Sequence, residues 1–431
     1  MIAPLLERAS RRAECADAVE KTDETLTLQF EAGQLRSAGR SLEKGVNLRV
    51  VADGRIGFAG TTGDDPDQLL EAAMASARVG EPGRLELPAP APLPSVLTSV
   101  PRAVAADLET LKDIGVSVVD RLSGDGCQVN VTVERSVGEV RVANSRGVEA
   151  VYSVSAVSVS AEIVRVTGDD IVIINDHRAG ADLPALADLE RMVAQMRRRL
   201  AWAGSSAEAP EGRRPVCFAP TALPALLLPV QLACVGKTVL QGSSPLAGRI
   251  GDHRFDSAFT LVDDPLADGC SGSRPFDDEG VVSRRFPLVE AGVLCGFIYD
   301  VESATRAGVS PTGHGRRSTF GKPQPAYSNL LVSPGSLGFD ELLALVDDGL
   351  LVDELLGVGQ GNVIGGAFSH PVALAWRVIK GEVVGRVTGT QVAGNAFDLL
   401  DHLRGVGRDV QWRGSLAAPA VVVEGVAIVG R

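Results

Sequence analysis

Residues 226–279 read LLLPVQLACVGKTVLQGSSPLAGRIGDHRFDSAFTLVDDPLADGCSGSRPFDDE, and the order of features in this stretch indicates how the C-terminal half folds. An apolar helix is predicted over residues 221–235, followed by a loop rich in serine and glycine. An acidic turn, Asp277-Asp278-Glu279, closes the stretch. Within the predicted helix only Cys234 has a metal-ligating side chain, whereas a zinc site normally takes at least three protein ligands.

This stretch resembles the TldD/PmbA family, whose catalytic branch carries a His-Glu-x-x-x-His motif shortly before a Ser-rich loop. The positions that match the motif are Pro229, Val230 and Cys234. Proline has no ligand atom, valine cannot take a proton from water, and a single thiolate does not make a zinc site. The catalytic branch also has a cysteine in a turn near its C-terminus, and the matching turn at residues 414–419 has no thiol. The chain is therefore identified as a member of the PmbA (TldE) branch.

The resemblance extends over nearly the whole chain, because further family-like stretches occur in the family's order. They lie at residues 144–147, 317–323, 327–335, 365–366 and 389–390. The resemblance implies an N-terminal α+β part and a β-rich C-terminal domain. It also implies that a TldD-like partner carries the zinc and the catalytic residues, with no cofactor in this chain.

Composition predicts a folded protein of two or three domains, since 45% of its 431 residues are hydrophobic and 48 are glycine. The charged N-terminus shows no signal peptide, and no stretch approaches the ~20 apolar residues of a membrane-spanning helix. A cytoplasmic location is expected. The six cysteines are scattered without any C-x-x-C pair, which favours buried free thiols over a zinc ribbon or a disulfide scaffold.

The net charge of −12 argues against direct binding to nucleic acid, because the phosphate backbone would be repelled. The family has been described as a modulator of DNA gyrase, so an effect on gyrase is expected to be indirect, for example through turnover of a peptide. One basic cluster, Arg191 with residues 197–199, is interpreted as the solvated face of a helix.

The predicted fold class is α+β, with a sandwich-like N-terminal part that contains long antiparallel strands, followed by a β-rich, barrel-like C-terminal domain. The predicted division is an N-terminal α+β unit (1–80), a Pro-rich connector (81–103), a middle α+β region (104–202), a linker (203–215) and the C-terminal domain (216–431). Predicted helices lie at 66–79, capped by Asp65 and ended by Gly80, and at 104–122, 184–202, 221–235 and 339–356. Predicted strands lie at 25–30, 45–51, 56–59, 129–133, 137–143, 148–163, 170–174, 258–262, 286–290, 293–299, 363–368, 372–380, 383–387 and 421–429.

Other candidate chemistry is sparse. The five histidines lie far apart in the chain, and His314, in a Gly- and Arg-rich segment, is interpreted either as a solvated loop residue or as a contact for an anionic group. The acidic residues at 263–264, 268 and 277–279 are interpreted as solvated surface with a structural turn rather than a cation site. The sequence at 269–273 does not fit a nucleophile elbow, and the glycines at 357–361 follow a predicted helix rather than forming a P-loop.

Two classes of function remain open. In the first, the chain is the non-catalytic subunit of a TldD/TldE-type metalloprotease, binds unfolded peptides by strand addition and forms a homodimer in isolation. In the second, it acts alone as a peptidase or hydrolase that uses Cys234, and a role as a peptide-binding scaffold is a further alternative. The resemblance suggests a peptide or partner cleft near the former active site. The residues expected in that cleft are Ser243, Ser244, His314, Asn329 and Gly366.

Overall fold

The computed structural model describes residues 2–124 and 126–430. The helices are α1 (Ile2–Ala9), α2 (Pro66–Val79), α3 (Pro101–Val104), α4 (Leu108–Leu122), α5 (Leu186–Trp202), α6 (Pro224–Ala233), α7 (Gly236–Leu240), α8 (Val301–Ala307), α9 (Phe339–Leu343) and α10 (Ala396–Leu400), with a 3-10 turn at Val363–Gly365. None of these helices is long and apolar enough to cross a membrane; α5, the longest, has 17 residues.

The strands of the N-terminal half are β1 (Cys15–Glu31), β2 (Gln34–Ala52), β3 (Arg55–Thr61), β4 (Gln128–Asn144), β5 (Glu149–Thr167) and β6 (Asp170–Gly180). Those of the C-terminal half are β7 (Gly212–Phe218), β8 (Leu261–Asp263), β9 (Phe286–Glu290), β10 (Val293–Leu294), β11 (Gly315–Arg316), β12 (Gln324–Pro325), β13 (Leu330–Val332), β14 (Asp348–Leu355), β15 (Ala367–Ile379), β16 (Glu382–Val387), β17 (Thr390–Asn395), β18 (Leu403–Val406), β19 (Gln411–Arg413), β20 (Leu416–Ala418) and β21 (Val421–Gly430).

One antiparallel sheet, in the order β3-β2-β1-β4-β5-β6, organises the N-terminal half. Strand β1 pairs with β2 on one side and with β4 on the other, so residues 1–80 and 104–202 share this sheet. The long antiparallel strands expected from the sequence are confirmed. Helix α2 matches its predicted bounds, and the Asp65 carboxylate accepts hydrogen bonds from the backbone N–H groups of Asp67 and Gln68 at its first turn.

Helices α4 and α5 cover one face of this sheet. Their buried side chains, among them Leu111 and Met196, join a core that includes Val131 and Val159 of the sheet. Gly115 in α4 permits this close packing, because a Cβ built at this position would lie 2.2 Å from the Phe30 ring. The apolar residues spaced three and four apart along α5 explain why this helix packs as the sequence predicted.

A closed five-stranded barrel forms the centre of the C-terminal half, in agreement with the predicted barrel-like domain. Its strands follow the circular order β14-β7-β21-β17-β15, and the ring closes because β15 also pairs with β14. A second sheet, in the order β10-β9-β8-β13-β20-β19, lies beside the barrel. Helix α6 packs into the same apolar core as the barrel strands, with Leu226, Leu227 and Val230 fully buried.

The predicted helix over residues 339–356 is wrong. The structure has a short helix, α9, and then strand β14 of the barrel. Leu350, Leu351 and Val352 are buried in succession because this strand is covered on both faces, and such an apolar run fits a helix or a strand equally well. The predicted strand over 293–299 is likewise shorter, ending at Leu294.

A buried ion cluster joins the two halves. Arg49 of β2 donates two hydrogen bonds to Asp17 of β1, at 2.9 and 2.8 Å, and its Nη1 lies 2.7 Å from Glu279 in the C-terminal half. Arg317 also contacts Asp17, and all four side chains are fully buried. The acidic turn at 277–279, interpreted as a structural turn, is buried, and cations and backbone N–H groups contact its carboxyl groups.

This cluster predicts a pH dependence of stability. Burial raises the pKa of Glu279 to about 8, against the opposing effect of Arg49. The folded-state pKa of Glu279 lies above the ordinary 4.5, so the folded state holds the proton more tightly than the unfolded state. The free energy of unfolding should therefore decrease as the pH rises from about 5 to about 8. Denaturant unfolding at both ends of this range should show a smaller fall for E279Q. Equal falls in the two proteins would contradict the prediction.

Candidate functional site

Helix α6 carries Pro229 and Val230, and Cys234 follows its last residue; these are the three positions predicted to match the family's metal motif. The chain leaves barrel strand β7, turns at residues 219–223, and begins the helix with Pro224 in its first turn, where a missing N–H is tolerated. Pro229 lies inside the helix, so the backbone hydrogen bond normally donated at this position is absent. Pro229, Val230 and Cys234 are all buried in the barrel core. These positions therefore serve packing.

The residues around α6 do not fit a zinc ion. Zinc requires several nitrogen, sulfur or oxygen ligands that converge on one point. Over residues 2–124 and 126–430, no group of three or more His, Cys, Asp or Glu side chains has a metal-binding arrangement. The turn at 414–419, between β19 and the end of β20, likewise contains no thiol.

Cys234 at the end of α6 lies in an environment that suppresses thiol reactivity. Its backbone N–H donates to Val230, and its carbonyl accepts from Ile298 at 2.9 Å, which holds it in the core. Burial raises the pKa of the Cys234 thiol to about 12. A nucleophilic cysteine needs a base or a cation that lowers its pKa, so this site is unsuited to covalent catalysis.

His314 lies at the centre of a buried polar network beside α6. Its Nε2 lies 3.1 Å from the Asp263 carboxylate, and its Nδ1 lies 2.8 Å from the Thr312 hydroxyl. Asp263 also accepts a 2.6 Å hydrogen bond from the Ser328 hydroxyl. His314 is only 1% exposed, so its interpretation as a solvated loop residue is wrong, as is that of Asp263 as solvated surface.

Tyr327 connects this network to the motif helix. Its hydroxyl donates to the Gln231 carbonyl of α6 at 2.7 Å, and its ring lies edge-on to His314 at 6.3 Å. Burial raises the pKa of Tyr327 well above 10. The residues Asp263, Thr312, Ser328 and Tyr327 were not among the predicted cleft residues. Thr312 lies only two positions from His314, but the partners of the other three are distant in sequence.

The other predicted cleft residues have different exposures. Ser244 is buried and donates to the Ala233 carbonyl at the end of α6, whereas Ser243 is exposed. Asn329 is fully buried, with its amide bonded to the Asp264 carbonyl and to Gly272 N–H. Gly366, at φ 82°, ends the 3-10 turn that packs on α6 and is buried. Of the predicted cleft residues, Ser243 is therefore accessible to a peptide. The buried ones make structural hydrogen bonds or pack in the interior instead.

A groove lies beside this 3-10 turn. It has a volume of about 610 Å³ and is lined by the loop at 356–362 and by residues 367–371 of β15. Strand β14 pairs with β15 only from Val372 onward, while β17 covers the opposite edge of residues 367–371. Among the described strands, none pairs with the groove-side edge of residues 367–370, whereas the Pro371 carbonyl accepts a 2.9 Å hydrogen bond from the Leu356 N–H. Ala367 and Ser369 are exposed there.

The interpretation of Arg191 and residues 197–199 as a solvated face is correct only in part. Arg191 is exposed, but Arg199 is 7% exposed and lies between two buried carboxylates. It contacts Asp176 at 3.1 Å and Asp353 of the barrel strand β14 at 2.8 Å. Arg199 thus connects α5 to the C-terminal half.

Comparison with known proteins agrees with this architecture. The model of the PmbA/TldA metallopeptidase C-terminal domain matches residues 211–430, and that of domain 1 matches residues 16–77. A metalloprotease of Methanothermobacter thermautotrophicus is 27% identical over 92% of this chain and 89% of its own length. The metalloprotease PmbA of Escherichia coli O157:H7 is 23% identical over 100% of this chain and 95% of its own.

Among solved structures, TldE of Thermococcus kodakarensis superposes with a TM-score of 0.90 at 24% identity, covering 100% of both chains. The long N-terminal sheet and the closed C-terminal barrel are thus part of a fold that this chain shares with that structure. The chain belongs to the TldD/PmbA family.

Proposed function

We propose that this chain is the non-catalytic subunit of a TldD/TldE-type metalloprotease that processes or degrades unfolded peptides and small proteins. The observation that carries the proposal is the composition of α6, where Pro229, Val230 and Cys234 stand at the motif positions and pack into the barrel core. A TldD-like partner supplies the zinc and the catalytic residues. The complex is proposed to be a cytoplasmic heterodimer, and the isolated chain a homodimer.

The chain's contribution is proposed to be a binding edge for the peptide. The groove-side edge of residues 367–370 borders an open groove next to the motif helix. An extended peptide can add to such an edge through main-chain hydrogen bonds, which makes few demands on the peptide's side chains. This mode suits a protease that accepts varied, unfolded substrates. Exposed Ser243, which follows α7 in the chain, is assigned to the same cleft region.

A cleavage assay tests the proposal. Casein or an unstructured peptide is incubated with this chain, with a TldD-like metalloprotease, and with both together. Cleavage is expected only when the TldD-like protein is present, and it should rise on addition of this chain. Cleavage by this chain alone, or no effect of adding it to a partner that it demonstrably binds, would contradict the proposal.

Lysines on the open edge of β15 should weaken peptide binding. The variant A367K/S369K places two charged side chains on an edge that strand addition would cover, as natural edge strands do to prevent pairing. We expect KM for peptide cleavage by the complex to rise roughly tenfold, equivalent to about 1.4 kcal/mol.

The matched control is E382K/V384K, which changes two exposed positions with the same spacing on strand β16. The control should leave KM unchanged. Equal KM values for both variants and the unaltered complex would show that the edge of β15 is not the peptide site.

The alternative of a stand-alone hydrolase receives no support from the surroundings of Cys234, which raise rather than lower the pKa of its thiol. A direct action on gyrase DNA is likewise not proposed, because the chain carries a net charge of −12. Any effect on gyrase is proposed to pass through turnover of a peptide.

A further inference from the structure

A second cavity, larger than the groove, lies between the two halves of the chain. Its volume is about 1060 Å³, and its walls come from β6 and α5 on one side and from the barrel, the loop at 407–410 and strand β19 on the other. Cavities of this size accommodate a drug-sized molecule or a few residues of peptide. None of the motif positions on α6 lines it.

The cavity is electropositive although the chain as a whole is acidic. Seven arginines and four aspartates line it, and counting the neighbouring Asp176 and Asp340 leaves an excess of one positive charge. Arginine presents a planar fork of donors that matches a carboxylate with two parallel hydrogen bonds. The charge of the wall therefore favours an anionic group.

Arg198 is a cation of the wall that forms no ion pair among the described residues. Its guanidinium lies over the rings of Trp202 and Phe339, at 4.9 and 4.7 Å from their centroids. The Arg198 side chain is exposed at the cavity, so its N–H groups are accessible to a bound acceptor. Arg413 also lines the cavity, where its Nη2 lies 3.2 Å from Asp176.

Acidic neighbours limit but do not cancel this preference. Asp353 and Asp176 are already engaged by Arg199, and Asp188 pairs with Arg191. Asp340 lies near Arg198 and favours the charged form of the guanidinium. It thereby partly offsets the lowering of the Arg198 pKa by burial. Asp409 also lines the cavity and would repel an anion placed beside it.

The rest of the wall is aromatic. All three tryptophans of the chain, Trp202, Trp376 and Trp412, line the cavity, together with Phe339. Trp202 packs edge-on to Trp376 at 5.4 Å and is stacked with Phe339 at 6.2 Å. Such surfaces bind apolar groups and shield a neighbouring ion pair from water.

We propose that this cavity binds a ligand with a free carboxylate next to an aromatic or aliphatic side chain, such as the C-terminal residue of a peptide. The carboxylate is held by Arg198 and Arg413, and the side chain packs against the tryptophans. The site is distinct from the groove beside α6, and the proposal does not depend on the role of the chain as a protease subunit.

Tryptophan fluorescence of the purified full chain tests this site directly, because every tryptophan lies in its wall. Three probes are used: N-acetyl-phenylalanine, its amide and inorganic phosphate. The first two differ only in the carboxylate. We expect a saturable fluorescence change with the acid. The amide should bind at least about tenfold more weakly, because it lacks the charged hydrogen-bonding group. Phosphate should bind more weakly than the acid.

The variant R198Q removes the unpaired cation and should weaken binding of the acid about tenfold. The control variant R197Q changes the preceding residue of the same helix, which lies outside the cavity wall, and should leave binding unchanged. Circular dichroism of both variants establishes that they are folded. Any one of four results would overturn the assignment. They are equal affinity for the acid and the amide, tighter binding of phosphate than of the acid, unchanged binding of the acid by folded R198Q, and no saturable fluorescence change at millimolar acid. If R198Q fails to fold, the acid and amide comparison on the unaltered chain decides.

Discussion

Replacing Arg49 by methionine is expected to lower the free energy of unfolding by about 3 to 5 kcal/mol at neutral pH. Methionine keeps much of the side-chain volume but removes the hydrogen bonds to Asp17 and the contact with Glu279. Asp17 would then remain fully buried with Arg317 as its remaining cation. Because this cluster joins the N-terminal sheet to the C-terminal half, its loss should also loosen the contact between the halves.

Urea unfolding of the variant and the unaltered chain measures this effect. The control is Arg40→Ala on the same strand, whose side chain is 67% exposed and pairs with Glu24. An exposed pair contributes little, so the control should change stability by no more than about 1 kcal/mol. If the two substitutions cost the same, the buried cluster does not stabilise the fold as described.

Cys234 is expected to be alkylated much more slowly in the native chain than in the denatured chain. Burial raises the pKa of its thiol from 9.0 to about 12, and the thiolate is the reactive form. Exclusion of the reagent from the core should slow the reaction further. Iodoacetamide treatment at about pH 8, followed by peptide mapping, measures modification at each cysteine.

Partly exposed Cys295 provides the internal comparison, and denaturation should make all six cysteines reactive. Substitution of Cys234 by serine should leave cleavage by the complex unchanged. Rapid alkylation of Cys234 in the native chain, or loss of cleavage in a folded C234S variant, would return the stand-alone hydrolase to consideration.

Local signals were sufficient to predict some elements. Helix α2 has a capping aspartate, a proline in its first turn and an ending glycine within one short stretch, so its bounds needed no tertiary information. Strand β1 was recognised only over residues 25–30, although it runs from Cys15 to Glu31. Its charged residues break the apolar pattern, and the strand is held by pairing with β2 and β4.

The site was predicted less well than the fold, because its contacts join distant residues. His314 and Asp263 are 51 positions apart, and nothing near either residue indicates that they meet in the core. Arg199 likewise pairs with Asp353, 154 positions away. The order of family-like motifs predicted a helix at the position of α6, but exposure and ion pairing required the three-dimensional structure.

The most direct measurement of the central claim is the zinc content of the purified chain, determined by plasma mass spectrometry after removal of loosely bound metal. We expect far less than one zinc per chain, and near-stoichiometric zinc in a TldD-like partner measured in parallel. Stoichiometric zinc in this chain alone would contradict a non-catalytic role and would require ligands that α6 does not provide.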